Sequence, residues 1–201
     1  MKLYYSPGAC SLAPHIALRE AGLPFEAVLA STKTKRLPDG SDYLAVNPKG
    51  QVPLLELDNG ERLSEGPVIQ QYIADLVPAS GLLPPAGSWA RYRVLEWLNF
   101  ITSELHKGFT PLFNPAVPAD TKALFAQRLK ERLAWVDSQL DGRDHLTGDT
   151  FTIADGYLFV VSNWTQPTGI DLAGLDRLQA FRARVAARPA VQAALQAEGL
   201  R

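Results

Sequence analysis

The first part of the chain alternates between the apolar spacing of strands and that of helices. Lys2–Tyr5 is short and aromatic, a composition that favours a strand. From Leu12 onward, apolar residues recur at helical spacing as far as Gly22, a residue type common just after a helix end. Phe25–Leu29 again has the pattern of a strand. A strand, a helix and a strand joined so closely predict a right-handed crossover between parallel strands.

A second group of strand signals follows a polar loop. Val52–Leu57 has a strand pattern, and the Asn-Gly turn after it favours a hairpin because these residues accept positive φ angles. Arg62–Leu63 should then form a short antiparallel strand at the edge of the sheet. A helix is predicted to follow as far as Leu76, with Ser64 or Glu65 available to cap it. The predicted order is therefore βαβ followed by ββα.

The remainder of the chain shows helical patterns without a convincing strand. Residues 78–87 hold three prolines and two glycines, where neither a helix nor a central strand persists, so they are predicted to be a linker. The linker separates a domain of residues 1–80 from an all-helical domain of residues 88–201. The expected helices of this second domain run from Ser88 to about Lys107, from Asp120 to Gly142, onward from a capping signature at Thr152–Asp155, and from Arg188 to about Ala197.

The composition excludes several classes of protein. The 201 residues include 20 Lys and Arg against 21 Asp and Glu, so the chain lacks the basic excess of a nucleic-acid-binding or polybasic membrane-binding surface. A single cysteine cannot close an internal disulfide, which excludes a disulfide-stapled secreted scaffold. No apolar run approaches the roughly 18 residues of a membrane span, and the amino end makes a poor signal peptide. We therefore expect a cytoplasmic protein with neither nucleic acid nor membrane as a partner.

Cys10 is the first candidate for chemistry. It follows the first predicted strand and precedes the first predicted helix, where free N–H groups and the helix dipole would lower the pKa of its thiol. A lone cysteine can equally be a small buried apolar residue, so its position alone leaves both interpretations open. Ala13 stands where a C-x-x-C motif has its second cysteine. Redox chemistry at Cys10 would therefore need an external thiol.

Three further pairs could bind a small ligand, although each has an ordinary structural explanation. Val52-Pro53 can mark the start of a strand, or its peptide bond can be cis and turn the backbone toward an extended peptide. Glu65-Gly66 opens a helix whose N–H groups could bind a carboxylate, as any helix start could. His106-Lys107 lies near the predicted end of the long helix, where cations are commonly structural. No spacing of histidines or carboxylates predicts a metal site.

Together these motifs resemble the glutathione transferases, most closely the bacterial beta class. The resemblance begins with MKLYYSPGACSLAPHIALREAGLPFE, continues through NPKGQVPLLELDNGERLSEGPVI, and includes ELHKGF and LTGDTFTIADGYLF. The second stretch is shared by thioredoxin-like transferases in general, whereas Cys10 with the Ser-Leu-x-Pro-His after it, and His106-Lys107, indicate the beta class. The resemblance implies a thioredoxin-like first domain that binds glutathione, an all-helical second domain that forms most of the electrophile pocket, and a cytosolic homodimer.

By position in these motifs, the resemblance also implies how glutathione is held. The backbone of Val52, before a cis Pro53, would pair with the cysteinyl part of the tripeptide. Glu65 and the residue after it, Gly66, would hold the γ-glutamyl end. Further polar contacts are implied for four residues, the last two reaching their own or the neighbouring subunit's site: Lys35, Gln51, Asn99 and Ser103.

The same resemblance implies where catalysis takes place. The implied catalytic residues, near the glutathione sulfur, are Cys10, His106 and Lys107. The small hydrophobic electrophile is expected in a pocket formed by the start of the first helix, Phe109, Phe113 and Trp164. No metal and no bound cofactor is expected, because glutathione is itself a co-substrate.

The sequence departs from the family pattern in two places. The family usually has Ser after the binding Glu, whereas this chain has Gly66. One hydrogen bond to a charged group contributes about 1.5–3 kcal/mol, so we expect reduced affinity for glutathione. Phe151 faces Gly156 across the Thr152–Asp155 capping signature, so the usual hydrophobic staple is missing. The second departure concerns folding and stability rather than catalysis.

Three functions are compatible with these residues. The first is conjugation of the glutathione thiol to electrophiles, the reaction of a detoxification enzyme. The second is glutathione-dependent disulfide reduction through a mixed disulfide of Cys10, because a thiol is a poorer hydrogen-bond donor than a hydroxyl and can itself react. The third is a non-catalytic ligand-binding role, against which the set of Cys10, Val52-Pro53, Glu65 and His106 argues. An apolar pocket is defined by its shape, so the sequence does not identify the electrophile.

Overall fold

The computed structural model of the protein describes residues 1–200. They form two units, one of Met1–Leu83 with the residues from Arg188 onward, and one of Pro84–Ala187. The first unit combines strands with helices, and the described residues of the second contain helices but no strand. This confirms the predicted fold class, a thioredoxin-like α/β region and an all-helical region.

The first unit is built on a mixed sheet with the strand order β2-β1-β3-β4. The strands are β1 (Lys2–Tyr5), β2 (Glu26–Leu29), β3 (Leu54–Glu56) and β4 (Arg62–Ser64). β1 pairs in parallel with β2 and antiparallel with β3, so that Leu3 lies opposite both Ala27 and Leu55. β4 pairs antiparallel with β3 and forms one edge of the sheet, and β2 forms the other. The predicted βαβ-ββα order is therefore confirmed.

Helices cover this sheet and help to form its core. They are α1 (Leu12–Glu20), α2 (Tyr43–Val46), α3 (Gly66–Leu76), a 3-10 turn at Pro78–Ser80, and α10 (Pro189–Ala197). α1 packs against both α3 and α10. A buried apolar cluster of Tyr4, Ala30, Tyr43, Val52 and Leu54 lies between the strands and α2. This cluster fixes Val52 just before β3.

The end of the chain belongs to the first unit, which differs from the predicted division. Arg188 makes two hydrogen bonds to the Glu20 carboxylate, at 2.6 and 2.8 Å. The buried Glu198 carboxylate accepts a hydrogen bond from the Gly8 N–H at 3.0 Å and lies 2.8 Å from Nδ1 of the buried His15. These contacts join residues that are far apart along the chain, and no local pattern reveals them. The last helix therefore packs with the first unit, whereas the prediction counted it in the helical domain of residues 88–201.

The second unit contains six helices and a π-helical segment among the described residues. The helices are α4 (Trp89–Phe100), α5 (Lys107–Phe113), α6 (Ala119–Gln139), α7 (Ile153–Asn163), α8 (Thr165–Thr168) and α9 (Asp176–Ala186). The π-helical segment, Ile101–His106, joins α4 to α5 without a break. α7 is the central helix, because its residues 153–162 are all buried and both α4 and α9 pack against it.

The predicted capping box holds the start of α7. The N–H and the hydroxyl of Thr152 both donate to Asp155 Oδ2 at 2.8 Å, and the Leu146 N–H donates to Oδ1 at 2.8 Å. Burial raises the pKa of the Asp155 carboxyl, although these hydrogen bonds act in the opposite direction. Phe151, for which the sequence offered no staple partner, packs edge-on against His145.

Candidate active site

Cys10 lies in the turn between β1 and α1. Two backbone hydrogen bonds of 3.0 Å shape the turn, from the Ala9 N–H to the Ser6 carbonyl and from the Leu12 N–H to the Ala9 carbonyl. The buried Ser11 hydroxyl accepts from the Ser6 N–H at 3.1 Å and donates to the Ser6 carbonyl at 3.2 Å. Cys10 itself is partly exposed and directly precedes Ser11, the N-cap of α1. Its predicted place at a strand-to-helix junction is confirmed.

The thiol of Cys10 reaches the loop before β3. Its Sγ donates a hydrogen bond to the Val52 carbonyl oxygen at 3.2 Å. The Val52–Pro53 peptide bond is cis, as predicted, and both residues are buried. A nucleophilic sulfur thus lies beside backbone polar groups of the kind that pair with an extended peptide. A carbonyl oxygen has two lone pairs, so Val52 can accept from Cys10 and from a ligand N–H together.

The loop that leads to Val52 is held from both sides. The Gln51 carbonyl accepts from the Tyr43 hydroxyl at 2.8 Å and from Asn47 Nδ2 at 2.7 Å, while Gln51 itself is exposed. Lys35 Nζ donates to the Gly50 carbonyl at 2.7 Å. Gly50 has φ +59°, and a Cβ atom there would lie 3.1 Å from Lys35 Cδ. Glycine is therefore required where Lys35 crosses the loop.

The start of α3 carries an unusual backbone conformation at Glu65. Its φ of 72° is uncommon outside glycine and signals local strain, which is often found at functional sites. Glu65 is the N-cap of α3, but its side chain makes no capping hydrogen bond and instead accepts from Lys49 Nζ at 2.8 Å. Lys49 also donates to the Ser64 hydroxyl at 2.9 Å. Glu65, one of the two predicted capping residues, is therefore the N-cap, but it caps α3 without a side-chain hydrogen bond. Lys49 is a further residue at this helix start that no sequence pattern indicated.

Gly66 brings the first turn of α3 to the same loop. A Cβ atom on Gly66 would lie 3.6 Å from Pro53 Cγ, an ordinary van der Waals distance. The first unit thus assembles Cys10, Val52-Pro53 and the N–H groups at the start of α3, together with Lys35, Gln51 and Glu65 at neighbouring positions. The helix start offers partial positive charge to a carboxylate, and the Glu65 carboxylate offers negative charge to an ammonium group.

His106 and Lys107 lie inside a continuous helical run rather than near a helix end. His106 is the last residue of the π-helical segment, Lys107 is the first of α5, and the run continues to Phe113. The predicted end near Lys107 is therefore wrong, because the chain widens into π-helical turns where termination was expected. Such segments within α-helices are frequent at functional sites.

Two ion pairs of Glu104 fix the π-helical segment against α6. Glu104 Oε2 accepts from Arg128 at 3.0 Å and from Arg132 at 2.9 Å. These hydrogen bonds lower the pKa of the Glu104 carboxyl. Ile101 and Leu105 of the same segment are fully buried. The conformation of the segment is thus set by packing on one side and by charge on the other.

Asn99 and Ser103 lie one helical turn apart and are both exposed. The Ser103 hydroxyl donates to the Asn99 carbonyl at 3.0 Å. Lys107, one turn further on, is also exposed. The structure therefore keeps Asn99, Ser103 and Lys107 accessible to a ligand.

The aromatic residues predicted for the electrophile pocket form one cluster with His106. The Trp164 ring lies 4.9 Å from the His106 ring, 5.7 Å from Phe109 and 5.9 Å from Phe113 between centroids. Phe113 is half exposed and Trp164 partly exposed, but Phe109 is completely buried. Phe109 therefore joins the cluster through its contacts with the other two rings and exposes no surface of its own.

Tyr157 also joins this cluster, although the sequence pattern predicted only the start of an apolar run at this position. Its hydroxyl oxygen lies 2.6 Å from His106 Nδ1. A buried tyrosine needs a partner for its hydroxyl, so a tyrosine at the head of the run Tyr157–Val161 was the available signal.

Other features of the described residues lie apart from these groups. A cavity of about 350 Å³ in the second unit is lined largely by charged residues, including Arg143, Arg177 and Arg184, and contains no predicted site residue. Within residues 1–200, no cluster of three or more His, Cys, Asp or Glu side chains could hold a metal ion. In the same range, no helix combines the length and apolar character that crossing a membrane requires.

Similarity to known proteins extends over the whole chain. The family model described as glutathione S-transferase, N-terminal domain, matches residues 8–76, and the model described as the C-terminal domain matches residues 103–198. Glutathione S-transferase GstA of Escherichia coli O157:H7 is 52% identical over 100% of both chains. Two solved structures cover 100% of both chains with TM-scores of 0.96: a sphingomonad glutathione S-transferase complexed with glutathione, at 53% identity, and a bacterial beta class glutathione S-transferase of Sphingomonas chungbukensis, at 47%.

Proposed function

Because the chain belongs to the glutathione S-transferase family and to its bacterial beta class, we propose that it conjugates the thiol of glutathione to small apolar electrophiles. In this proposal the first unit binds the tripeptide, and the aromatic cluster of the second unit receives the electrophile. Cys10, His106 and Lys107 act on the glutathione sulfur.

One observation carries the proposal: Cys10 Sγ lies 3.2 Å from the carbonyl oxygen of Val52. Glutathione is a short peptide whose central residue carries the thiol. A ligand whose cysteinyl backbone pairs with Val52 therefore brings its own sulfur toward Cys10. The sphingomonad relative, whose structure contains glutathione, supports this ligand.

The charges of the first unit complement the two ends of glutathione. The γ-glutamyl end carries an ammonium and a carboxylate, which match the Glu65 carboxylate and the N–H groups at the start of α3. The glycyl carboxylate matches Lys35, whose ammonium lies on the loop beside Gly50. Gln51, exposed on that loop, adds a polar contact. This pairing sets the direction in which the tripeptide lies.

The conjugation step needs glutathione as its thiolate. The thiol proton passes to solvent water, and an N–H of His106 and the ammonium group of Lys107 stabilise the negative sulfur. The sulfur then attacks the electrophilic carbon. With an aryl chloride, the new C–S bond replaces the C–Cl bond, and chloride leaves with the bonding electrons. The half-exposed Phe113 and the partly exposed Trp164 provide an apolar surface for the ring.

We propose disulfide reduction as a second activity, favoured by the presence of a thiol at Cys10. The Cys10 thiolate attacks a mixed disulfide of glutathione at the glutathione sulfur, which forms a Cys10–glutathione disulfide and releases the other thiol. A second glutathione then attacks this disulfide, which restores Cys10 and yields oxidised glutathione. The chain contains no second cysteine, so glutathione must supply the resolving thiol.

We propose further that the protein is cytoplasmic and that it forms a homodimer. Exposed large apolar side chains on the chain, among them Leu76, Trp89 and Tyr92, support an interface between copies. Sedimentation of the purified protein at micromolar concentration should give twice the 22.0 kDa of one chain. A single species at the mass of one chain contradicts the dimer.

Paired activity assays test the proposed function. The wild-type protein should conjugate glutathione to a chromogenic chlorodinitrobenzene and reduce hydroxyethyl disulfide with glutathione. Cys10→Ala should abolish disulfide reduction but retain part of the conjugation, since the nucleophile of conjugation is the glutathione thiol. His106→Ala should reduce both rates. Binding of glutathione without either reaction would indicate a ligand-binding role and overturn the proposal.

A further inference from the structure

We propose that Tyr157 is a positioning residue that fixes the orientation and the tautomer of His106. The inference rests on the proposed function, in which His106 acts on the glutathione sulfur. The Tyr157 hydroxyl oxygen lies 2.6 Å from His106 Nδ1, a short and therefore strong hydrogen bond.

Tyr157 is held rigidly enough to orient its partner. It lies on α7, is only 1% exposed, and comes two residues after Asp155 of the capping box. The residues on either side of it in α7 are also buried. The hydroxyl therefore has a fixed position, and the imidazole must adjust to it.

A second contact restrains the plane of the imidazole ring. The Trp164 ring lies 4.9 Å from it at an interplanar angle of 70°, and the Tyr157 ring lies 6.0 Å from it at 83°. Both are edge-to-face arrangements, which are favourable for aromatic pairs. With Nδ1 engaged and the plane restrained, Nε2 is the nitrogen through which His106 acts on a ligand.

The chemistry of the two groups determines the direction of the hydrogen bond. A phenol is a better proton donor than a neutral imidazole, and an imidazole nitrogen is a better acceptor than a phenol oxygen. Tyr157 therefore donates to Nδ1, which leaves the imidazole proton on Nε2. An N–H at Nε2 is suited to stabilise a thiolate, whereas the opposite tautomer presents a lone pair that repels it.

Charged groups lie on the helices that pack against the π-helical segment of His106, namely α4, α5, α6 and α7. On the same segment as His106, Glu104 is paired with Arg128 and Arg132 of α6. Arg93 and Glu96 of α4 pair with each other, Lys107 begins α5, and Asp155 of α7 is bound by Thr152 and Leu146. Removing the Tyr157 hydroxyl changes none of these charges, so its effect on a pH profile can be assigned to His106.

The tautomer of His106 can be measured directly. Nitrogen-15 NMR of the histidine side chains in the wild-type protein should show His106 as the Nε2–H tautomer near neutral pH, assigned by comparison with His106→Ala. In Tyr157→Phe, which keeps the ring and loses the hydroxyl, the signal should move to a mixture of tautomers. A wild-type His106 that is already a mixture, or a spectrum unaffected by Tyr157→Phe, overturns the inference.

Kinetics separate this inference from the proposed function. Tyr157→Phe should lower kcat/KM for conjugation by about twofold to tenfold, the effect of one hydrogen bond, and should shift the ionisation of the bound thiol to higher pH with little change in KM for glutathione. In the His106→Ala background the same change should have no further effect. Tyr72→Phe, at a partly exposed position of α3 to which no role in the site is assigned, is the matched control.

The outcomes of these measurements are distinct. If His106→Ala leaves activity intact, the proposed role of His106 fails, whatever Tyr157 does. If His106→Ala lowers activity while Tyr157→Phe leaves the pH profile unchanged, or if the two changes are additive, the positioning role of Tyr157 fails. A loss of thermal stability alone indicates a structural role only and likewise contradicts the inference.

Discussion

The thiol of Cys10 donates a hydrogen bond to the Val52 carbonyl across 3.2 Å, which joins the turn after β1 to the loop before β3. Neither residue could orient a tripeptide alone, since one supplies a reactive sulfur and the other supplies backbone polar groups. Their contact places both functions at one point of the first unit. The start of α3 lies beside the same loop, through the approach of Gly66 to Pro53.

Gly66→Ser should tighten the binding of glutathione. The chain has no hydroxyl at this position, and a Cβ atom there meets Pro53 only at an ordinary contact distance. The added hydroxyl can donate to the γ-glutamyl carboxylate, so calorimetry should show a dissociation constant lower by up to about tenfold. Gly66→Ala adds the carbon without the hydroxyl and should leave the affinity nearly unchanged. Equal affinities of the Ser and Ala variants would exclude this hydroxyl contact.

Glu65→Gln should weaken glutathione binding without destabilising the protein. The change removes the charge that we assign to the γ-glutamyl ammonium group, and loss of a hydrogen bond to a charged group should raise the dissociation constant by about tenfold or more. The Glu65–Lys49 ion pair is exposed, so its loss should cost less than about 1 kcal/mol of unfolding free energy. Glu26→Gln, which weakens another exposed pair of the same unit, is the control. Unchanged affinity in Glu65→Gln would contradict the assigned role.

Glu198→Gln should destabilise the first unit strongly. The buried Glu198 carboxylate accepts from Gly8 and bonds His15, whose Nε2 accepts from Arg19 at 3.0 Å. An amide in its place turns an N–H donor toward one of these donors. Urea unfolding should show a loss of at least about 2 kcal/mol, since the change leaves buried polar groups unpaired. An unchanged urea midpoint would show that the network contributes nothing to stability.

Glu104→Gln should lower stability slightly near neutral pH and leave it unchanged in acid. Hydrogen bonds from Arg128 and Arg132 lower the pKa of Glu104 in the folded protein, so its contribution is present above the unfolded pKa and is lost as the pH falls through the folded pKa. The pair is largely exposed, so the difference at neutral pH should stay below about 1 kcal/mol and should shrink in high salt. Thermal unfolding at several pH values measures it. A difference that grows toward acid pH would contradict this sign.

Sequence predicted the parts of the structure that are encoded locally or in recognisable motifs. The βαβ-ββα order of elements, the hairpin at Asn59-Gly60 and the capping box followed from short segments and are confirmed. The cis bond before Pro53 was implied by the family resemblance and is also confirmed. The family motifs also led to Cys10 and Val52, which the structure brings into contact.

The features that sequence missed depend on contacts between distant segments. The Glu198–His15 bond spans 183 positions, and the His106–Tyr157 bond spans 51. The helical run through His106 continued past its expected end because buried residues and the Glu104 ion pairs hold a π-helical segment that no residue preference announces. The turn of Glu65 toward Lys49 likewise reflects a backbone conformation that side-chain preference would not predict.

The central claim is that Cys10 stands at the sulfur of bound glutathione. Intact-mass measurement after incubation with oxidised glutathione tests it most directly, with S-methylglutathione as a competitor that can occupy the site but cannot react. We predict one glutathionyl group on the wild-type chain, located at Cys10, absent from Cys10→Ser, and suppressed by excess S-methylglutathione. An unmodified Cys10, or a modification that the competitor does not slow, would contradict the claim.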